Sequence, residues 1–122
     1  MLAGDFFIIT AISSADDNIQ ATLELNAAHR IFEGHFPGQP VVPGVCMIQM
    51  IKEILETSID KKTRLIKSDQ VKFLAMIDPR LDQSIKATLK YNITNNEEIH
   101  VTASLANDTT IFLKLKGIFV LR

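Results

Sequence analysis

The sequence predicts an α+β domain in which an antiparallel sheet of about six strands wraps around one long central helix. Three observations support this fold class. Several segments alternate apolar and polar residues with a period of two, and short links rich in turn-forming residues join them. One long segment has apolar residues at the spacing of a helix. The order along the chain is two strands, one helix and then about four strands.

The predicted strands are mostly segments in which every second residue is apolar, the pattern of a sheet with one buried face. They are an apolar run at 6–12 and alternating segments at 19–25, 85–93, 99–105 and 111–115, followed by 118–121. Gly117 breaks the period between the last two, which predicts a bulge or bend. Links at 15–18, 94–98 and 106–109 are rich in turn-forming residues, so the strands should be hairpin-connected and antiparallel.

The apolar run near the start of the chain resembles a signal peptide only superficially. Asp5 stands where a basic region should precede the run, and the run is too short to span a bilayer. We therefore expect a strand here, and a cytoplasmic protein without a membrane-inserted segment. The one cysteine, Cys46, cannot form an internal disulfide, which fits a reducing compartment.

The long helix is predicted from Val45 to about Ile59, with Pro43-Gly44 at its entry. Its apolar residues lie on several sides, more than a surface helix needs, which favours a position inside the sheet. A sheet around one helix leaves an edge and part of the helix uncovered, so we expect a homodimer or a higher assembly of dimers. Polar residues form one stripe along the helix: Gln49, Lys52, Glu53 and Glu56.

Composition restricts the function. The 122 residues fit one domain spanning 1–122, and 47% hydrophobic with 22% charged residues are ordinary values for a globular protein. A net charge of -1 provides no global positive field for nucleic acid. No group of His, Cys and carboxylate residues has the sequence spacing of metal ligands, so no metal or redox cofactor is expected.

The segment from His29 to Val45 carries the candidate chemistry. Three prolines and three glycines within residues 34–44 restrict the path of a loop that leads into the helix. Such a loop can hold a histidine in place while free amides of the first helical turn face a developing negative charge.

Motifs in this segment resemble a known family. His35-Phe36-Pro37-Gly38, followed by Pro40 and Pro43-Gly44-Val45, closely resembles the active-site signature of the bacterial (3R)-hydroxyacyl-[acyl-carrier-protein] dehydratases, the FabZ/FabA-like enzymes. A second stretch resembles that family's next strand and loop, with Val71-Lys72-Phe73, Asp78-Pro79 and Asp82-Gln83. The resemblance covers most of the chain from about Glu24 onward. It implies a hot-dog fold and a lyase of fatty acid biosynthesis.

The resemblance also implies roles for single residues. His35 would be the base that removes the α-proton of a 3-hydroxyacyl thioester, and the N–H of Gly44, from the other subunit, would polarise the thioester carbonyl. The acyl chain would arrive on the phosphopantetheine of acyl carrier protein, or on coenzyme A, and lie in an apolar tunnel between subunits. Further substrate contacts would come from the rest of the signature: Phe36, Pro37, Gly38, Pro43, Val45 and Phe73.

One position departs from the family pattern. The family has Glu or Asp on the helix fourteen residues after the histidine, where it protonates the departing hydroxyl, and this chain has Gln49. An amide can hydrogen-bond the hydroxyl but cannot act as a general acid, a loss that typically costs about 10²- to 10⁴-fold in rate. Three interpretations remain open: an adapted dehydratase, a non-catalytic thioester-binding partner, and a thioesterase that uses a Gln49-bound water.

Other residues have plainer interpretations. Glu53 lies about 6 Å beyond Gln49 along the helix axis, which is predicted to be too far for direct proton transfer. Cys46 lies where the helix dipole would stabilise a thiolate, but its position favours a packed apolar residue.

A basic rim is predicted after the helix, and it would suit an acidic acyl carrier protein or be a solvated loop. Leu74 and Ala75 stand where the family has arginines, which weakens the case for its familiar mode of carrier docking. The carrier protein remains the expected partner and coenzyme A the alternative. The rim consists of Lys61, Lys62, Arg64 and Lys67, with Lys52, Lys72 and Arg80 as further candidates.

Overall fold

The computed structural model describes residues 2–34, 38–94 and 97–122, and its order of elements confirms the predicted fold class. Two strands, β1 (Phe7–Ala15) and β2 (Asn18–Leu25), precede the helices α1 (Ile31–Gly34) and α2 (Gly44–Ile59). Four strands follow: β3 (Thr63–Phe73), β4 (Ser84–Ile93), β5 (Glu98–Ala106) and β6 (Ile111–Leu121). Within these ranges no helix is both long enough and apolar enough to cross a membrane.

The strands form one antiparallel sheet in the order β1-β2-β4-β5-β6-β3. The turn between β1 and β2 places Asp16 and Asp17 at positive φ, 52° and 63°. Asp tolerates this conformation, and it suits a two-residue hairpin. Because β3 pairs only with β6 in this sheet, β1 and β3 are its two edge strands.

The core lies between α2 and the inner face of the sheet, the face that carries the buried strand residues. Burying a large apolar side chain stabilises the fold by about 1.5–3 kcal/mol, so a helix that is apolar on several sides is stable in this position. The largest fully buried side chains include Met50, Ile51, Ile54 and Leu55 of α2, together with Ile19, Leu23, Ile85, Leu89 and Phe119 of the strands.

The bulge predicted at Gly117 lies in the neighbouring strand instead. β6 continues through Gly117, and the register shifts of the β3–β6 pair fall opposite it, between Leu65 and Lys67 and between Ser68 and Gln70. A Cβ at Gly117 would lie 2.7 Å from the carbonyl oxygen of Lys67. The glycine therefore permits the close approach of a bulged β3 rather than bending its own strand.

The short helix α1 was not predicted, because sequence reasoning assigned its residues to a loop. His29 is fixed just before it: its Nδ1 accepts a hydrogen bond from the N–H of Ile31 at 3.1 Å, and its Nε2 lies 3.1 Å from Oδ2 of Asp5. The His29 ring also packs edge-on against Phe6, with ring centroids 5.3 Å apart. Tertiary contacts thus hold a single turn that is too short for a periodic pattern.

Candidate functional site

Several of the predicted site residues meet at the N-terminus of α2. Pro43 is the N-cap residue, with φ -61° and ψ 145°, and its carbonyl oxygen accepts hydrogen bonds from the N–H groups of Cys46 at 3.0 Å and Met47 at 3.2 Å. In the described part of the chain, no group accepts a hydrogen bond from the N–H of Gly44. An amide at this position can bind a negatively charged oxygen, because the helix dipole adds to its donor capacity.

The ring of Phe73 covers Gly44. A Cβ at Gly44 would lie 2.9 Å from Cζ and 3.0 Å from Cε1 of this ring, so the contact requires a glycine unless the ring moves. Phe73 ends β3 and is 53% exposed, and Val45 in the first turn of α2 is 74% exposed. The helix N-terminus therefore combines a donor with an accessible apolar wall.

The loop before α2 is tied to the segment before β4. Gly38 has a φ of +86°, a conformation that favours glycine, and its carbonyl oxygen accepts a hydrogen bond from Nη1 of Arg80 at 3.4 Å. Arg80 also binds Asp78 through Nη2 at 3.0 Å and Nε at 3.2 Å. This guanidinium contact holds the pKa of the Asp78 carboxyl below its usual range. A backbone bond from the N–H of Val42 to the oxygen of Ile77, at 2.9 Å, adds a second tie.

The predicted catalytic base is not among these contacts. His35, Phe36 and Pro37 lie outside the described residues, between the end of α1 and Gly38. Their predicted roles as base and substrate contacts therefore stay predictions.

Gln49 is bonded within its own helix. Its Nε2 donates a hydrogen bond to Oε2 of Glu53 at 2.9 Å. Because an ionised carboxylate only accepts hydrogen bonds, the amide nitrogen faces Glu53 and Oε1 of Gln49 is not used in this bond. Gln49 lies about 7.5 Å along the axis from Gly44, where it lines a cavity of about 240 Å³.

 The cavity beside Gln49 is smaller than the depression of 410 Å³ over β1, β2 and β4. Its other lining residues are Lys52, Glu53, Glu56, Lys62 and Arg122.

Glu53 has a larger role than sequence reasoning assigned to it. Its side chain is 1% exposed, and its carboxylate accepts hydrogen bonds from the N–H of Leu2 at 2.9 and 3.0 Å and from the N–H of Ala3 at 2.8 Å. A carboxylate is buried at low cost only with such donors. These partners are 51 and 50 residues away in sequence, so no local pattern could have identified them.

Glu56 is a second carboxylate of α2 with a structural role. It accepts hydrogen bonds from the N–H and the hydroxyl of Thr63, and Nζ of Lys52 lies 3.5 Å from it. Burial raises the pKa of Glu56, but the bonds from Thr63 and the charge of Lys52 outweigh burial, so the net pKa is lowered. The ionised side chain ties α2 to the first residue of β3.

Cys46 has the surroundings of a packed apolar residue rather than of a nucleophile. Cys46 is 8% exposed, and burial raises the pKa of its thiol. A thiol that stays protonated is a poor nucleophile, so Cys46 acts as a packed apolar residue. Across the described ranges, no group of three or more His, Cys, Asp or Glu side chains could hold a metal ion.

The predicted basic rim does not form one group. Lys52 binds Glu56, Lys67 binds Asp69 at 3.3 Å, and Arg80 is engaged by Asp78. Lys62 lines the cavity beside Gln49, whereas Lys72 points away from α2, on the outer face of the sheet. Carrier docking by this set of residues therefore stays a prediction.

Comparison with known proteins identifies the family. Residues 11–112 match the ApeI-like family, described as ApeI dehydratase. This range includes the loop before α2, the whole of α2 and the Phe73 contact. The chain belongs to the ApeI-like dehydratase family.

Relatives of this ApeI-like chain are consistent with that assignment. The 3-hydroxyacyl-[acyl-carrier-protein] dehydratase FabZ of Oenococcus oeni is 27% identical over 96 residues, which are 73% of this chain and 69% of FabZ. A chain of the dehydratase heterocomplex ApeI:P from Xenorhabdus doucetiae has a TM-score of 0.68 and 22% identity, over 93% of this chain and 96% of that one.

A thioesterase shares the same architecture. A mutant thioesterase from Pseudomonas aeruginosa has a TM-score of 0.63 and 8% identity, over 94% of the ApeI-like chain and 80% of its own. These structural likenesses show the hot-dog fold, as the sequence resemblance implied. Because both kinds of protein have the fold, the fold alone does not choose between dehydration and hydrolysis.

Proposed function

We propose that this ApeI-like chain removes water from a 3-hydroxyacyl thioester and forms the 2-enoyl thioester. The observation that carries the proposal is the N-terminus of α2, where the N–H of Gly44 lies beside the exposed ring of Phe73. Family membership and the FabZ relative support the substrate class. Acyl carrier protein is the proposed carrier, with coenzyme A as the alternative.

The proposed reaction begins at the thioester carbonyl. Its oxygen accepts a hydrogen bond from the N–H of Gly44, where the helix N-terminus stabilises the negative charge of the enolate. His35 removes a proton from C2, and the electron pair of that C–H bond is first delocalised onto the carbonyl oxygen as the enolate and then forms the C2–C3 double bond as the C3–O bond breaks. The imidazolium of His35 then gives its proton to the departing hydroxyl. Water leaves, and His35 is neutral again.

Gln49 has a binding role in this scheme rather than an acidic one. Its Nε2 is engaged by Glu53, so its Oε1 accepts a hydrogen bond from the 3-hydroxyl group of the substrate. This bond orients the hydroxyl but supplies no proton. We therefore expect slower dehydration than a carboxylic acid at this position would support.

A second copy of the chain would complete the proposed site. The side chains of Phe73, which contacts Gly44, and of Val45, which follows it, are exposed, and Met76 is 76% exposed. The edge strand β3 also has one side without a neighbour in the described sheet. A homodimer that covers this surface would give the acyl chain apolar walls. The exposed apolar residues of this region are Val45, Phe73, Leu74 and Met76.

A second candidate function follows from Gln49 and from the Xenorhabdus heterocomplex. In this alternative the chain binds the acyl thioester without turnover, and a different subunit supplies the acid. The observation that favours it is the Gln49–Glu53 bond, which engages the position where the family has its proton donor.

The deciding experiment measures enoyl product from 3-hydroxyacyl thioesters on acyl carrier protein and on coenzyme A. Dehydration that His35→Ala abolishes, and that the exposed control Glu33→Ala preserves, supports the proposal. No turnover by the parent protein, together with turnover when a different dehydratase subunit is added, favours the binding partner. Release of free thiol that depends on His35 would replace both candidates with a thioesterase.

A further inference from the structure

The outer face of the sheet carries a group of lysines that the proposed reaction does not use. Two neighbouring rows of residues cross five strands, in the order β2, β4, β5, β6 and β3, and together they form the lysine platform. Four of its ten residues are lysines and none is Asp or Glu, although the chain has 14 acidic residues against 13 basic ones. The rows are Asn18, Lys90, Thr102, Lys116 and Gln70, and Gln20, Thr88, Ser104, Lys114 and Lys72.

The positive charge of the platform is not neutralised within the described residues. None of its four lysines forms an ion pair there. Asp69, which shares a depression with two of them, binds Lys67 at 3.3 Å, and Asp108 at the margin binds Lys86 at 2.7 Å. These two carboxylates are therefore engaged by lysines outside the platform.

The placement of these lysines opposes stability. Lys72 and Lys114 lie directly opposite each other on the neighbouring strands β3 and β6, and like charges in this arrangement destabilise a sheet. Lys116 adds a third charge on the same side of β6, about 7 Å from Lys114. A negatively charged partner would offset this repulsion.

The shape and chemistry of the platform select the kind of partner. It forms a shallow depression of 420 Å³ whose lining includes Lys90, Lys114 and Lys116, unlike the deep pockets that enclose small ligands. The ten platform residues include no aromatic side chain that could stack on a nucleobase. They include no large apolar side chain that could insert into a membrane.

We propose that the lysine platform docks an acidic α-helix of a partner protein. Lys90 and Lys116 are two strand spacings apart, about 10 Å, and carboxylates seven residues apart on a helix are separated by about 10.5 Å. The five strands extend over about 19 Å, which a helix of about 13 residues spans. Since α2 lies on the inner face, this surface is separate from Gly44, and the proposal does not depend on the proposed reaction.

The test is a binding titration with two labelled helical peptides of about 16 residues. One peptide carries Glu at positions spaced three and four apart along one face, and its control has Gln at each of those positions. The parent protein should bind the Glu peptide, less tightly as NaCl is raised, and should not bind the Gln peptide. Fluorescence anisotropy measures both.

Charge reversal locates the binding surface. Lys90→Glu/Lys116→Glu should weaken binding by about 10-fold or more, whereas Lys61→Glu/Lys62→Glu, with the same change of charge outside the platform, should weaken it by less than about twofold. Lys114→Glu should weaken binding while raising Tm by about 1–4 °C, because it removes the like-charge pair with Lys72. If the platform were only a solvated surface, Lys114→Glu would not both weaken peptide binding and raise Tm.

Several outcomes would overturn the proposal. These are an equal loss of affinity for the Glu peptide in both double variants, equal binding of the two peptides, no binding of the Glu peptide, or a lower Tm for Lys114→Glu. Vesicles of phosphatidylserine and phosphatidylcholine test the remaining source of negative charge. Binding to vesicles but not to the Glu peptide, if lost in Lys90→Glu/Lys116→Glu, would assign the platform to a membrane surface instead.

Discussion

Gln49 and Glu53 form one hydrogen-bonded unit on α2, with Nε2 of Gln49 2.9 Å from Oε2 of Glu53. The same carboxylate accepts hydrogen bonds from the N–H groups of Leu2 and Ala3, so both of its oxygens are engaged. A carboxylate at position 49 would face Glu53 directly, whereas an amide donates to it. The departure of Gln49 from the dehydratase pattern therefore agrees with the surroundings of its side chain.

Gln49→Glu should make the stability of the protein depend on pH in a new way. Two carboxylates in contact share one proton, so the folded state raises the pKa of the pair above its unfolded value. Stability is then fully present below the unfolded pKa and lost as the pH rises through the folded pKa. We expect a loss of about 1–3 kcal/mol at neutral pH that disappears towards pH 4. Urea denaturation across this pH range measures it.

The double variant that exchanges the side chains of residues 49 and 53 is the control for that prediction. Gln49→Glu/Glu53→Gln keeps one carboxylate and one amide in contact, so its free energy of unfolding at neutral pH should return most of the way to the parent value. Equal stability of Gln49→Glu and the parent at neutral pH would contradict the contact between residues 49 and 53. The exchanged variant is also the better protein in which to look for faster dehydration.

Glu53→Ala should release the start of the chain from α2. The variant leaves the N–H groups of Leu2 and Ala3 without their acceptor, at a cost of about 1–3 kcal/mol. Hydrogen exchange at residues 2–6 should accelerate as well. Glu33→Ala, which changes an exposed carboxylate, should stay within about 0.5 kcal/mol of the parent. Unchanged exchange in Glu53→Ala would mean that other contacts hold this segment.

Glu56 should contribute to acid unfolding. Its pKa is lowered in the folded state, so its contribution to stability is present above the unfolded value of 4.5 and is lost as the pH falls through the lower folded value. Glu56→Gln should therefore flatten the pH dependence of Tm below 4.5. Thr63→Val keeps the N–H donor of residue 63 and should flatten the pH dependence of Tm less than Glu56→Gln does. If Tm changed with pH below 4.5 equally in Glu56→Gln and the parent, other carboxyl groups would control acid unfolding.

Gly117→Ala should destabilise the β3–β6 pair. The new Cβ would lie 2.7 Å from the carbonyl oxygen of Lys67, which is backbone and cannot rotate away. We expect a loss of about 1–3 kcal/mol from this overpacking, measured by chemical denaturation. Thr88→Ala, at an exposed position of the central strand β4, is the control and should change stability by less than about 0.5 kcal/mol.

The parts of the fold that could be predicted have local patterns. β4 and β5 alternate strictly because one face of each is buried against α2, and α2 is apolar on several sides because it fills the sheet. β3 has no such alternation, since it is an edge strand with two register shifts, and only its last three residues were predicted. α1 is a single turn, which is too short to produce a periodic pattern.

In the candidate site, too, only the features with a local sequence pattern could be predicted. Pro43 and Gly44 could be located from sequence because a Pro-Gly pair at a helix entry has a local conformational meaning. The ring of Phe73 over Gly44 and the burial of Glu53 could not, because they join segments 29 and about 50 residues apart.

The sequence by itself determined the fold class, the position of the long helix and the loop that leads into it, because backbone periodicity and the restrictions of Pro and Gly act over a few residues. Only the tertiary structure decided which donors satisfy Glu53 and how Gln49 is oriented. A buried carboxylate takes whichever amides the fold brings to it, and those amides belong to a distant part of the chain.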